Sequence, residues 1–120
     1  MRIAVTAVRG DLTADVDKKF GRAAYFTIFD SETGRHNVLD NSENVKAAHG
    51  ADIQAASRVL SEGVDVILTG HCGPRAFGTL TGAGIDIITG VSGTVNDAIK
   101  EHGGGGYQES TEPDVESHWQ

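Results

Sequence analysis

Val64-Asp65-Val66-Ile67-Leu68-Thr69-Gly70-His71-Cys72-Gly73-Pro74-Arg75 is the stretch on which the reading of this chain turns. Val64 to Thr69 reads as a short buried strand, and Pro74 after Gly73 suits the first turn of a helix, where a missing N–H is no loss. A strand that passes straight into a helix projects its turn residues into the crevice at the carboxyl end of an α/β sheet. Open sheets of this class bind their ligands there. The turn holds the chain's only cysteine beside His71, with Arg75 in the first helical turn. A thiol, an imidazole, a guanidinium and helix-start N–H groups together suit an anion or a soft metal.

Working outward, Arg2 to Val8 alternates apolar residues on both faces, as a central first strand does. A polar loop follows from Arg9 to Arg22. Tyr25 to Phe29 is strongly β-forming, Asp30 to Gly34 has hairpin-turn composition, and Arg35 to Leu39 is expected to return as its antiparallel partner. From Lys46 to Glu62 the period changes to that of a helix, with Ile53, Ala56, Val59 and Leu60 on one face and Gly63 as terminator. Pro74 to Thr81 is the second helix, with Ala76, Phe77 and Leu80 inward, and Ile85 to Thr89 is another short buried strand. Thr94 with Asp97 three residues on resembles a capping box that opens a last helix, whose Val95, Ala98 and Ile99 face the sheet.

An antiparallel meander followed by right-handed crossovers predicts an RNase H-like three-layer α/β fold, a mixed five-stranded sheet in the order 3-2-1-4-5 flanked by helices. Residues 1–102 form the single expected cofactor-binding domain. Residues 103–120, which begin with Gly103 to Gly106 and continue polar and acidic, are expected to be a flexible tail.

The chain of 120 residues has a net charge of −7, of which −4 lies in Glu109, Glu112, Asp114 and Glu116, leaving −3 for residues 1–106. That balance argues against a general nucleic-acid binder, while Arg9, Lys18, Lys19, Arg22, Lys46 and Arg75 all fall in loops or helix starts and allow a local positive face. The apolar runs are far shorter than the roughly 20 residues that span a bilayer. With one cysteine and no signal-like core, a soluble cytoplasmic protein is expected.

Candidate site residues gather around three turns. Cys72, leading into a helix start where a thiolate is favoured, is a candidate metal ligand with His71 and with His49, which precedes Gly50 at the start of the first long helix. Gly73 and Arg75 belong to the same turn. Arg22, in Phe20-Gly21-Arg22-Ala23, is expected to lean toward an anion bound beside Arg9, although Phe20 also reads as a core plug. Ser92, Gly93 and Thr94 lie in Gly90-Val91-Ser92-Gly93-Thr94, a strand-to-helix turn of anion-binding type that lacks the P-loop lysine and the GxGxxG spacing. His102-Gly103-Gly104-Gly105-Gly106 looks like an esterase oxyanion loop, but there is no GxSxG elbow, so it reads as a helix terminator. A nuclease site would need clustered carboxylates, and the first strand has none, while Asp65 lies at the wrong end of its strand.

Phe20-Gly21-Arg22-Ala23 before an aromatic strand, His49-Gly50-Ala51, Thr69-Gly70-x-x-Gly73-Pro74-x-Ala76-Phe77 and Gly90-Val91-Ser92-Gly93-Thr94-Val95 resemble, in order, the dinitrogenase iron-molybdenum cofactor biosynthesis family over about residues 1–102. That family includes NifX-like and NifY-like proteins and the C-terminal domain of NifB. The resemblance implies a small RNase H-like domain that binds or carries molybdenum-containing or iron-sulfur clusters. One branch, the orange proteins of sulfate reducers, holds a molybdenum-copper sulfide cluster, and a stand-alone chain of this size is similar to it. The His71-Cys72 pair departs from many relatives and fits a softer ion such as copper.

Three functions follow as expectations. The leading one is a non-enzymatic carrier or scaffold for an anionic metal-sulfide cluster, held by guanidinium and N–H groups with optional ligation from Cys72 or histidine. A second is an interaction module that regulates a partner, such as a cluster-assembly protein or an ATPase. A third is an enzyme with Cys72 as nucleophile and His71 or His49 as base, for which no orienting carboxylate is evident. Neither nucleic acid nor membrane is an expected partner.

Overall fold

The computed structural model describes residues 1–46 and 50–114. Five strands, β1 (Arg2–Ala7), β2 (Tyr25–Asp30), β3 (His36–Asp40), β4 (Val66–Leu68) and β5 (Asp86–Ile88), form one sheet in the order β3-β2-β1-β4-β5. The β1–β2 and β2–β3 pairs are antiparallel, and β1–β4 and β4–β5 are parallel. Among the described residues the helices are α1 (Ser42–Val45), α2 (Ala51–Ser61), α3 (Pro74–Gly82) and α4 (Val95–Gly103). The expected strand order and its flanking helices are therefore observed.

β1 is central because both of its faces are apolar. Ile3, Val5 and Ala7 enter one core with Ala14, Val16, Leu68, Val95 and Ala98, while Ala4 enters the other with Phe20, Phe26, Ala55, Val59, Ile67, Phe77 and Leu80. Phe20 is the plug of that second core, its ring 5.4 Å from that of Phe26. The helix expected over Lys46 to Glu62 is observed as α2, which begins after Gly50, while the short α1 precedes that range. The buried face of α2 also differs from the expected one: Ala51, Asp52, Ala55, Ala56 and Val59 are buried, and Ile53 is 38% exposed. Small alanines let the helix lie close to its neighbours, so the face that packs is the one with the least bulk.

The polar loop after β1 is a clasp. Ala14 and Val16 belong to the α4-side core and Phe20 and Ala23 to the α2-side core, so the intervening residues cross the carboxyl end of the sheet. Asp17 N–H donates to Thr6 O at 2.8 Å, and the buried Thr6 hydroxyl lies 2.8 Å from Asp17 O and 2.9 Å from the Thr69 hydroxyl. A Cβ at Gly70 would stand 2.6 Å from Lys18 O, and one at Gly21 would stand 2.8 Å from Asp52 Cα. Only glycine permits the clasp to close on β4 and α2.

Residues 104–114, the described part of the expected tail, turn back onto the sheet. Gly105, at φ 77°, donates to His102 O while Gly106 N–H donates to Glu101 O, the paired bonds of a Schellman cap. The cap turns the chain back: Tyr107 packs against the α4-side core, and Ser110 N–H donates to Ile87 O at 2.7 Å. The Ser110 hydroxyl accepts from Thr89 N–H at 3.0 Å. The tail thus lies along the outer edge of β5, where unpaired backbone groups offer partners.

Candidate functional site

The β4–α3 turn, Thr69 to Gly73, stands at the carboxyl end of the sheet between two passing segments. The clasp runs along one side: Lys19 forms a parallel bridge with His71, and Phe20 N–H donates to His71 O at 3.1 Å. Lys18 and Lys19 are exposed there, and Arg75 is exposed on the first turn of α3. Their charges give the turn a cationic rim on an acidic protein.

The tail reaches the turn from the other side. One oxygen of the Asp114 carboxylate accepts from Cys72 N–H at 2.8 Å, and the other lies 2.9 Å from His71 Nδ1. The two side chains are 29% and 37% exposed, so the pair sits at the mouth of the crevice, not beneath it. A carboxylate seated on a backbone N–H and an imidazole just before a helix is the behaviour expected of an anion seat.

Cys72 does not offer a thiolate. It is 1% exposed within the α2-side core, with Sγ 3.7 Å from Gly73 O. Burial first, and then the charges of Asp114 and Asp52, push its thiol up from 9.0 to about 12. The expectation of a thiolate favoured by the helix start is overturned, because desolvation and two carboxylates outweigh the partial charge of one helix end. The same burial leaves Cys72 poorly placed as a nucleophile.

The helix start that follows the Gly90–Thr94 turn already has partners for its first amides. Val95 N–H donates to Ala14 O at 2.8 Å, Asn96 N–H to Leu12 O at 2.9 Å and Asp97 N–H to the Thr94 hydroxyl at 3.1 Å. Gly93 O accepts from Val16 N–H at 2.9 Å. Thr94 is thus an N-cap, as its spacing from Asp97 predicts, and the first α4 amides are taken by the clasp and by this cap. Ser92 remains exposed beside them.

Arg9 and Arg22 do not converge. Gly10 lies against Val38, whose register through Thr27 to Val5 places this part of the loop on the α4 side, and Arg9 pairs with Asp11 at 3.3 Å. Arg22 lies on the α2 side, its guanidinium donating to Val45 O at 2.9 Å. The clasp itself separates them. His49 lies outside the described residues, so the three-ligand set of His49, His71 and Cys72 can be described only for its last two members, and no cluster of three or more potential metal ligands occurs among the described residues. Asp114 and the buried Asp52 were missed from sequence. Nothing in an acidic tail signals where it docks, and Asp52 sits at a position where helix starts ordinarily carry an acid.

Residues 1–105 match the family described as dinitrogenase iron-molybdenum cofactor. An uncharacterized protein of Methanocaldococcus jannaschii is 29% identical over 83 residues, 68% of this chain and 70% of the relative. Among solved structures, the apo form of the orange protein from Desulfovibrio gigas superposes with a TM-score of 0.92 at 37% identity, covering 95% of this chain and 96% of that one. A proposed NifB protein from Thermotoga gives a TM-score of 0.81 at 32% identity, covering 95% and 98%. No helix among the described residues is long and apolar enough to cross a membrane.

Proposed function

The chain belongs to the dinitrogenase iron-molybdenum cofactor family, and from that premise we propose that it binds and carries an anionic, molybdenum-containing metal-sulfide cluster at the β4–α3 turn without catalysing a reaction. The observation that supports this most is the Asp114 carboxylate, one oxygen of which accepts from Cys72 N–H while the other lies 2.9 Å from His71 Nδ1. Sulfide clusters are large, weakly basic anions. N–H donors, an imidazole and a rim of Lys18, Lys19 and Arg75 match them better than a carboxylate cage would.

The residues fit capture of an anion more closely than ligation of a metal. Cys72 is buried and protonated, so in this reading it supports the turn by packing while its backbone N–H does the binding. A molybdenum-copper sulfide cluster of the kind carried by the orange-protein branch is the cargo we favour. The likeness to the orange protein from Desulfovibrio gigas extends along nearly the whole chain and includes the length of the domain.

Anaerobic reconstitution with tetrathiomolybdate and cuprous ion tests the reading. Retention of molybdenum and copper after desalting, with a charge-transfer band absent from the free reagents, is expected. Recovery of a metal-free, colourless protein that is still folded would refute it.

A further inference from the structure

We propose that the C-terminal tail is a built-in competitor for the cluster site: Asp114 occupies the anion seat of the empty protein, and a bound anion displaces it and frees the segment after Tyr107. This rests on the functional reading above and adds a regulation to it. The juxtaposition is specific, because both carboxylate oxygens are engaged, one on Cys72 N–H at 2.8 Å and one on His71 Nδ1 at 2.9 Å. An incoming cluster that uses either donor must first remove the carboxylate.

The tail has what such a device needs. Its path is fixed by the Schellman cap at Gly104–Gly106 and by Ser110 on Ile87 and Thr89, so Asp114 is delivered to the turn at high effective concentration. The Asp114 contact is partly exposed, and polar contacts of that kind are weak enough for a multiply charged ligand to replace. Glu109 and Glu112 lie on the same segment, so a docked tail also opposes a second anion by charge. Between Tyr107 and Asp114 the chain buries little: Gln108, Glu109, Thr111 and Glu112 are exposed. Its release breaks the Ser110 bonds to Ile87 and Thr89 at the β5 edge but removes no large apolar side chain from the core.

Population arithmetic gives the size of the effect. If the tail is docked about nine-tenths of the time, the apparent affinity for the cluster falls about tenfold, and removing the carboxylate restores it. The test compares wild type, Asp114→Ala and Asp114→Asn, titrated anaerobically with tetrathiomolybdate and cuprous ion, with backbone ¹⁵N relaxation of residues 107–114 recorded before and after. The proposal expects about tenfold tighter binding in Asp114→Ala and a smaller gain in Asp114→Asn, whose amide oxygen can still accept from Cys72 N–H. It also expects an ordered tail in the empty wild type that becomes mobile on binding. Equal or weaker binding by Asp114→Ala, or a tail that stays ordered in the loaded protein, would overturn it. If no variant takes up the cluster, the functional reading fails by itself and molybdate alone decides the competition. A shift of the Cys72 amide at lower molybdate concentration in Asp114→Ala than in wild type supports the tail as competitor, and no difference between the two refutes it.

Discussion

Cys72 shows how far a single side chain can be read from its neighbours in sequence. The strand, the turn and the helix start around it are all legible, yet the thiol is buried in the α2-side core, in the cluster that also holds Phe20, Ala76 and Phe77. That orientation depends on the packing of distant segments and leaves no local mark. Its folded-state pKa is raised, so the protonated thiol contributes stability that is fully present below the unfolded value of 9.0 and is lost as pH rises toward about 12. Wild type should therefore lose stability relative to Cys72→Ala by about 1.4 kcal/mol per pH unit inside that window. Urea unfolding of both proteins at pH 8 and pH 10 checks this, and parallel behaviour would mean that the thiol is accessible. Cys72→Ser should cost about 1–3 kcal/mol, since it buries a hydroxyl in an apolar cluster, while leaving cluster uptake nearly intact. Arg75→Ala should do the opposite, changing stability by no more than about 0.5 kcal/mol and weakening cluster retention several-fold in a desalting assay.

The elements were legible wherever periodicity and capping carry the information. The strand order, the inward face of α3 and the Thr94 cap of α4 all follow from local pattern. The clasp from Asp11 to Arg22 was not legible. Its contacts are backbone bonds to Thr6, Gly93 and His71, which any polar sequence could make, and its closest approaches are marked only by Gly21 and Gly70. The clasp also takes the Val95 and Asn96 amides of α4 and separates Arg9 from Arg22, which leaves the β4–α3 turn as the proposed site. Gly70→Ala should therefore destabilise the fold by about 1–3 kcal/mol, because backbone at Lys18 must move to make room. Thermal unfolding measures it, and an unchanged midpoint would show that the clasp yields freely. Thr94→Ala should cost about 1 kcal/mol through the lost cap and leave cluster uptake unaltered, since α4 contributes no amide to the site.

At the scale of the whole molecule, an acidic chain presents one cationic turn and closes it with its own acidic tail. The body of the protein, residues 1–105, carries the family match, and the anchored segment beyond it supplies Asp114. Charge and fold class were thus readable from composition and pattern, whereas the meeting of residues 43 positions apart at His71 and Asp114 was a tertiary outcome. In the proposed function the anion seat is the β4–α3 turn and not the α4 start. The most direct measurement is a pair of ¹H–¹⁵N correlation spectra of the full chain, empty and loaded anaerobically with tetrathiomolybdate and cuprous ion. The account predicts the largest shifts at the amides of His71, Cys72, Gly73 and Arg75, with those of Val95, Asn96 and Asp97 nearly unmoved. Largest shifts at Val95 to Asp97, with the amides from His71 to Arg75 unchanged, would contradict it.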